Sequence, residues 1–469
     1  MPLNRLDLIK AVGSACDLGN AAVFVGAGLS KASGMPDWKE LLEQPRIESR
    51  VPLTPEMQVD LPLLAEYILV EGHYTPERLN QHILSKLMDP GHEPNDLHRA
   101  IARLPVDQIW TTNYDPLIEQ VATDSRVISV DEDVRQIGST RRVIIKMHGS
   151  ISAGPLPTWT SSPVITRTQY ERYGLGRPRT WALLRAAYLS QTILFVGFSF
   201  ADPNVEILQR LSRLYGTAAS NRHVTIMRRP PEDEADERRL FDLRIRDLEQ
   251  SGIRVHQIDN HGELQPILTA LVRRTRPARV FVSGSDQGGG DHTACCDALG
   301  VALADKVGWQ LCSLEGPSGW RTTKRVASIR RSEGTYDAST LLFYYRRKDE
   351  PPPPLDERIG TVVFTDYERK ELVTELLDES RAVVAIGGGD RTCEEIAWAN
   401  SFGAGVVPLP AAGGAAREYW DQNKAAPPDL GGQTTPRATW NRLGDSDVAV
   451  AARAAVELLQ RAMYTNGAA

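Results

Sequence analysis

Residues 21–30 read AAVFVGAGLS: an uninterrupted apolar run that ends in Gly26-Ala27-Gly28 and leads into helix-forming sequence. A run of this kind bounded by glycine reads as a strand buried on both faces, the first step of a parallel strand-loop-helix series. Glycines at such a turn let backbone N–H groups approach a pyrophosphate at the helix N-terminus. The third glycine of the dinucleotide fingerprint is absent, so the motif by itself reads equally well as a tight turn that binds nothing.

Outward from this stretch the same grammar recurs. Apolar runs at 107–115 (DQIWTTNYD), 143–150 (VIIKMHGS), 192–200 (TILFVGFSF), 223–227 (HVTIM) and 253–259 (IRVHQID) predict the remaining strands of a doubly wound α/β domain. Between the first two strands, from about Trp38 to Arg103, apolar residues fall at helical spacing: Leu63, Leu64, Tyr67 and Ile68, then Leu79, Ile83, Leu84 and Leu87. This insertion is expected to form a lid or subdomain over the sheet. Residues 262–276 (GELQPILTALVRRTR) carry Leu264, Ile267, Leu268, Leu271 and Val272 on one stripe and predict a closing amphipathic helix.

A second α/β series follows at 279–285, 308–315, 339–347, 361–366, 381–389 and 405–410, with a final helix around Val448 to Met463. The fold class is therefore α/β with two Rossmann-like domains, 1–276 and 277–469. Pro351 to Pro354 predict a stiff spacer in the second. Arg346, Arg347 and Lys348 can reach a diphosphate, although a solvated strand end is the better reading.

The 469 residues are 41% hydrophobic and 24% charged, too long for one core and too apolar for disorder. A net charge of −6 argues against a protein whose main task is gripping nucleic acid. The N-terminus lacks an apolar signal core, and no run approaches membrane-spanning length, so a cytoplasmic protein is expected. Five cysteines, none at C-x-x-C spacing, predict reduced thiols and no metal; Cys295-Cys296 reads as helix core.

The polar residues gather at strand ends. Thr111-Thr112-Asn113-Tyr114-Asp115, His148-Gly149-Ser150 and Gly197-Phe198-Ser199-Phe200-Ala201-Asp202 end three of the strands that neighbour the glycine turn. In a parallel sheet such tips open onto one ligand-binding edge. His148 stands apart from His73, His82, His92 and His98, which fall in the helical insertion. Asp115 reads either as an orienting carboxylate or as a helix N-cap.

GAGLS, TTNYD, HGS and GFSFADPN, in this order over roughly the first 275 residues, resemble the sirtuin family in its bacterial sirtuin-like branch. The resemblance implies NAD+ as substrate. Gly26, Ala27, Gly28 and Ser30 would hold its pyrophosphate, Thr112 and Asn113 would face the nicotinamide ribose, His148 would be catalytic, and Ser199 with Asp202 would line the adenosine side. The paired zinc cysteines of sirtuin deacylases are missing, because no cysteine lies between His148 and Cys295. What remains is cleavage of the nicotinamide–ribose bond, with Asn113 holding a ribose hydroxyl or the attacking water and His148 as a base near neutral pH.

In the second half, Ser283-Gly284-Ser285 ends one strand, and Gly387-Gly388-Gly389-Asp390-Arg391-Thr392 precedes a helix expected over Cys393 to Asn400. Glycine donors and the Arg391 fork suit phosphate, while Glu394 and Glu395 suit either ribose hydroxyls or the helix dipole. IGGGDRTCEEIAWA resembles the Gly-Gly-x-Gly-Thr-x-x-Glu signature of the SLOG superfamily. Asp390-Arg391 departs from it, which favours ligand sensing over nucleotide hydrolysis. The whole layout, sirtuin-like then SLOG (STALD), is similar to the effectors of Thoeris antiphage defence. That resemblance implies an NAD+ glycohydrolase held inactive in a homo-oligomer, a homotetramer, and activated when a cyclic ADP-ribose isomer from a Toll/interleukin-receptor-domain protein binds the second domain. A protein deacylase, a phosphoribohydrolase and a non-enzymatic nucleotide sensor are the competing readings.

Overall fold

The computed structural model describes residues 3–88, 91–152, 157–198, 200, 205–206, 209, 223–314, 316–347 and 359–464. The chain divides into two compact units, Met1–Leu268 and Thr269–Ala469. The division falls inside the helix Leu264–Thr275, whose stripe of Leu264, Ile267, Leu268, Leu271 and Val272 is buried as expected.

In the first unit the described strands are β1 (Ala21–Val25), β2 (Gln108–Thr111), β3 (Ser125–Ile128), β4 (Arg142–Lys146), a short antiparallel pair β5 (Ser150–Ile151) and β6 (Trp159–Ser161), then β7 (Thr192–Val196), β8 (His223–Arg228) and β9 (Ile253–Ile258). Seven of them form a parallel sheet in the order β3-β4-β2-β1-β7-β8-β9. All five residues of β1 are buried, which is why the strand reads as an unbroken apolar run. β3 was not expected: Ser125 and Arg126 break its apolar pattern, and it lies at the sheet edge. From β1 the chain builds to one side (β2, β4) and then to the other (β7, β8, β9), so the order reverses between β1 and β7. Ligands of such sheets bind beyond the strand ends at that reversal.

The insertion folds as the helices Trp38–Glu48, Pro55–Val59, Leu61–Val70, Pro76–Leu87 and Asp96–Ala102. Thr54, Asp60 and Thr75 cap three of them through their side chains, each followed by proline at the first or second position. Leu64, Ile68, Leu79, Ile83, Leu84 and Leu87 share a core with Tyr114, Leu117 and Ile151, which seats the insertion at the carboxyl edge of the sheet. Tyr67, expected on the apolar stripe, instead points outward at 41% exposure.

The second unit holds β10 (Arg279–Ser285), β11 (Gln310–Ser313), β12 (Leu341–Arg346), β13 (Thr361–Thr365), β14 (Ala382–Gly387) and β15 (Gly405–Leu409), all parallel, in the order β13-β12-β11-β10-β14-β15. Here the reversal lies between β10 and β14. The terminal helix Val448–Ala462 buries eight residues of its length, six of them alanine or valine that let it lie close to its neighbours. Cys295 and Cys296 are buried in the core, where burial pushes their thiols up to about 12 and about 11. Arg346 and Arg347 end β12 as a solvated strand end, paired with Glu368 at 3.7 Å and Asp366 at 3.6 Å. Lys348 and Pro351 to Pro354 lie outside the described residues.

Candidate active site

The four strand tips singled out from the sequence belong to adjacent strands, β4-β2-β1-β7. Val25 pairs with both Thr111 and Val196, and Thr111 pairs with Lys146, so the strands end in register. Asn113 and His148 are each the second residue beyond their paired strand ends. With neighbouring strands about 4.8 Å apart, the carboxamide and the imidazole arise from adjoining positions on one edge of the sheet.

Asn113 is held closely. Its side-chain Nδ2 donates to Gly26 O at 3.3 Å and to Ser30 Oγ at 3.1 Å, and its backbone N–H donates to Thr111 Oγ1 at 3.0 Å. Both amide hydrogens are thereby used, and Asn113 Oδ1, buried, has no hydrogen-bond partner among the described residues. A buried acceptor left open is costly unless something fills it. Thr112, half-buried, lies level with Gly26.

Ser30 is the node of this network. Its hydroxyl accepts from Asn113, donates to Asp115 Oδ2 at 3.0 Å, and lies 3.4 Å from His98 Nε2. His98 Nδ1 accepts the backbone N–H of Asn95 at 3.2 Å, so the neutral ring carries its proton on Nε2 and donates to Ser30. The hydroxyl then has two donors and one acceptor, its full capacity. Asp115 Oδ1 accepts from Leu117 N at 3.1 Å, but the N-cap of the helix Leu117–Val121 is Pro116, so Asp115 is a turn carboxylate ahead of the helix rather than its cap, and its other oxygen takes the Ser30 hydroxyl.

Gly26 N–H donates to Val196 O and Gly28 N–H to Gly197 O, both at 2.9 Å, so in this arrangement neither is free for a pyrophosphate. Their lack of a side chain serves the close approach of the β1 turn to the β7 turn, where a Cβ on Gly28 would lie 2.9 Å from Gly197 O. Ser30 faces the Asn113–Asp115 network, and Ala27 is exposed at the start of the short helix Ala27–Lys31. Ser199 and Asp202 lie outside the described residues.

His148 is 1% exposed. Its ring meets those of Tyr170 and Tyr173 edge-on, and Nδ1 lies 3.3 Å from the Tyr170 hydroxyl. Burial first, and the Arg177 guanidinium second, hold the imidazole at a pKa of about 3, so it does not titrate near neutrality. It is neutral across the physiological range, and the same burial makes it a weak base until a bound substrate changes its surroundings. Gly149, at φ +107°, turns the chain sharply after it against Pro163. The segment where deacylases carry zinc thus supplies Tyr170, Tyr173 and Arg177 around the imidazole instead.

The depressed value fixes the sign of an acid effect. In the unfolded chain His148 takes up a proton near pH 6.5, whereas the folded chain resists it down to about pH 3. Its contribution to stability is intact above the unfolded value and is lost progressively as pH falls between the two. Thermal melts from neutral pH to about pH 5 should show a decline that is shallower in His148→Gln. Equal declines would contradict this.

Residues not singled out from the sequence complete the site. His98 was set aside as an insertion residue, yet it is fully buried against Ser30. Lys146, the lone charge in the otherwise apolar stretch VIIKM, is buried with Glu119 as partner at 2.6 Å. That charge in a two-face-buried strand was a legible signal that a partner must exist.

In the second unit the two expected glycine motifs meet at the order reversal: Ser283, Gly284 and Ser285 pair with Ala385, Ile386 and Gly387. Gly387 and Gly388 have φ of +61° and +92°, and a Cβ on Gly388 would lie 2.5 Å from Thr392 Cβ. The following helix spans Asp390–Phe402, three residues earlier than expected, because Gly389 caps it and accepts from Thr392 N and Cys393 N. Glu394 and Glu395 therefore fall in its second turn. Glu395 accepts from Ser283 Oγ at 2.6 Å and from Arg369 at 2.8 Å; burial, the largest influence, raises its pKa. Arg369 also grips Glu394 at 2.7 Å and Arg391 O at 3.0 Å, while Arg391 itself is exposed and Thr392 buried. No group of three or more His, Cys, Asp or Glu with metal-binding geometry occurs among the described residues. No helix among them is long and apolar enough to cross a membrane.

The SIR2-like domain family model matches residues 107–255. The chain is 33% identical over 344 residues to the NAD(+) hydrolase ThsA of Enterococcus faecium, covering 68% of each protein. It is 34% identical over 283 residues to the NAD(+) hydrolase ThsA of Bacillus cereus (strain MSX-D12), covering 57% of this chain and 56% of that one. A more distant match, 26% over 214 residues, is the defense-associated sirtuin 2 of Bacillus subtilis, of which 20% is covered.

Proposed function

The chain belongs to the ThsA family of SIR2-like NAD(+) hydrolases, and from that premise we propose that its first unit cleaves NAD+ to nicotinamide and ADP-ribose at Asn113 and His148, under control of a nucleotide bound by the second. The observation that carries the reading is Asn113: both amide hydrogens are committed to Gly26 O and Ser30 Oγ, which leaves a buried, open carbonyl oxygen at the tip of the strand next to β4.

The chemistry is undemanding for the protein. When the ribose–nicotinamide bond breaks, its electron pair neutralises the pyridinium ring, and the ribose becomes oxocarbenium-like. Asn113 Oδ1 accepts a hydrogen bond from the ribose hydroxyl or from the incoming water and so aligns it. Water supplies oxygen to the ribose carbon, and neutral His148 accepts the proton. Asp115, through Ser30, keeps the carboxamide from rotating.

The second unit is read as a SLOG sensor whose ligand is a cyclic ADP-ribose isomer produced by a Toll/interleukin-receptor-domain protein. The Ser283–Ser285 and Gly387–Gly389 turns form its floor, with Arg391, Thr392, Glu394 and Glu395 at its side. Activation requires that this ligand bind the active arrangement of a homotetramer more tightly than the resting one. NAD+ depletion in the cytoplasm then serves antiphage defence. Arg391→Ala should raise the half-maximal activator concentration about tenfold or more, since a charge-assisted hydrogen bond is worth ~1.5–3 kcal/mol. NAD+ binding by the first unit, measured by calorimetry on the same variant, should not change. Unaltered activation would remove Arg391 from the sensor site.

A further inference from the structure

Lys146 is the last residue of β4, two before His148, and its side chain is 0% exposed. All three of its ammonium hydrogens have partners: Tyr114 O at 3.0 Å, Asp115 O at 2.6 Å and Glu119 Oε1 at 2.6 Å. Two of the three are backbone carbonyls of the loop that carries Asn113. The third is the carboxylate of the helix Leu117–Val121, which begins where that loop ends.

A buried ammonium is a poor device for stability, because desolvation offsets most of what its ion pair returns and an apolar side chain of similar volume does as well. It is a good device for fixing distance. Three short bonds from one nitrogen tie the loop bearing Asn113 and Asp115 to the strand bearing His148, and the tie is made between register-paired positions, Thr111 opposite Lys146. Shifting the Asp115 carbonyl would move its carboxylate, then Ser30, then the Asn113 carboxamide, since each holds the next.

We propose that Lys146 is a positioning residue for NAD+ cleavage, setting the separation of Asn113 from His148 by gripping the Tyr114 and Asp115 carbonyls. The proposal rests on the reading of Asn113 and His148 as the groups that meet the ribose. Because misplacement by about 1 Å can cost ~100-fold in rate, the effect belongs in kcat and not in KM.

The test uses the full-length chain under the condition that gives its highest NAD+ turnover. Lys146→Met alone strands the Glu119 charge, so it is paired with Glu119→Gln. The double variant should melt like the unmodified protein while kcat falls roughly 100-fold and KM stays put. Glu119→Gln alone keeps the lysine on both carbonyls and should retain kcat. A double variant that melts normally and turns over at the unmodified kcat overturns the proposal. Should the double variant unfold, Lys146→Arg decides: it keeps the charge beside Glu119 but replaces a single donor atom by a wide fork, so a lowered kcat at normal KM supports the role and full kcat refutes it. Asn113→Ala, run alongside, separates the two layers. If it retains turnover, the site reading falls and the positioning role with it; if it is inactive while the folded double variant is fully active, Lys146 alone is misassigned.

Discussion

Asn113→Ala and His148→Ala should each reduce nicotinamide release by ~100- to 10,000-fold, the range in which aligned proton transfer contributes to catalysis. The two fail for different reasons. Losing Asn113 removes the open carbonyl that aligns the nucleophile, and it also takes one of two donors from each of Gly26 O and Ser30 Oγ. Losing His148 removes the acceptor for the proton of water but leaves the Ser30 network whole. Asn113→Asp sharpens the distinction. It keeps the shape, yet it sets a second carboxylate oxygen against Gly26 O and beside Asp115, so it should be both inactive and less stable by about 1–3 kcal/mol. Nicotinamide release followed chromatographically, with melting curves on the same samples, checks all three. An Asn113→Ala variant with normal turnover would contradict the assignment.

Gly26→Ala should be nearly as damaging without touching a reacting group. The new Cβ would press on Gly197 O and lie 2.8 Å from Phe198 Cα, both backbone atoms that cannot swing aside. Overpacking of this kind costs about 1–3 kcal/mol or more. The turn would be pushed away from β7, and Gly26 O, which holds Asn113, would move with it. Loss of turnover together with a lowered melting temperature is expected. Gly308→Ala is the control, because a Cβ there meets nothing within 4 Å. If Gly26→Ala behaves like Gly308→Ala, the close contact of the two turns is not what the glycine is for.

Much of the fold was legible because both sheets are parallel and buried. The runs at 21–25 and 382–387 are apolar throughout, and every residue of both strands is buried in the structure. β3 escaped notice for the converse reason: an edge strand with Ser125 and Arg126 carries no such run. Of the candidate site, Asn113 and His148 were legible because polar residues at successive strand ends converge once the strands are parallel. Ser30 was noticed, but its partners within the chain were not. The sequence shows a serine after a glycine turn, not the folding that brings His98 from 68 residues away and Asp115 from 85 to its hydroxyl. Arg369 lacked any local sign, since an arginine at the start of an amphipathic helix is ordinary until Glu394 and Glu395 arrive beside it.

The central claim is that this chain splits NAD+ with water at the β4-β2-β1-β7 edge. The most direct measurement is product analysis of the purified chain with NAD+, with and without cyclic ADP-ribose isomers and with and without an acyl-lysine peptide. Nicotinamide and ADP-ribose should appear in equal amounts, faster with a cyclic isomer and indifferent to the peptide. Nicotinamide that appears only when the peptide is present, or in neither condition, would contradict the account.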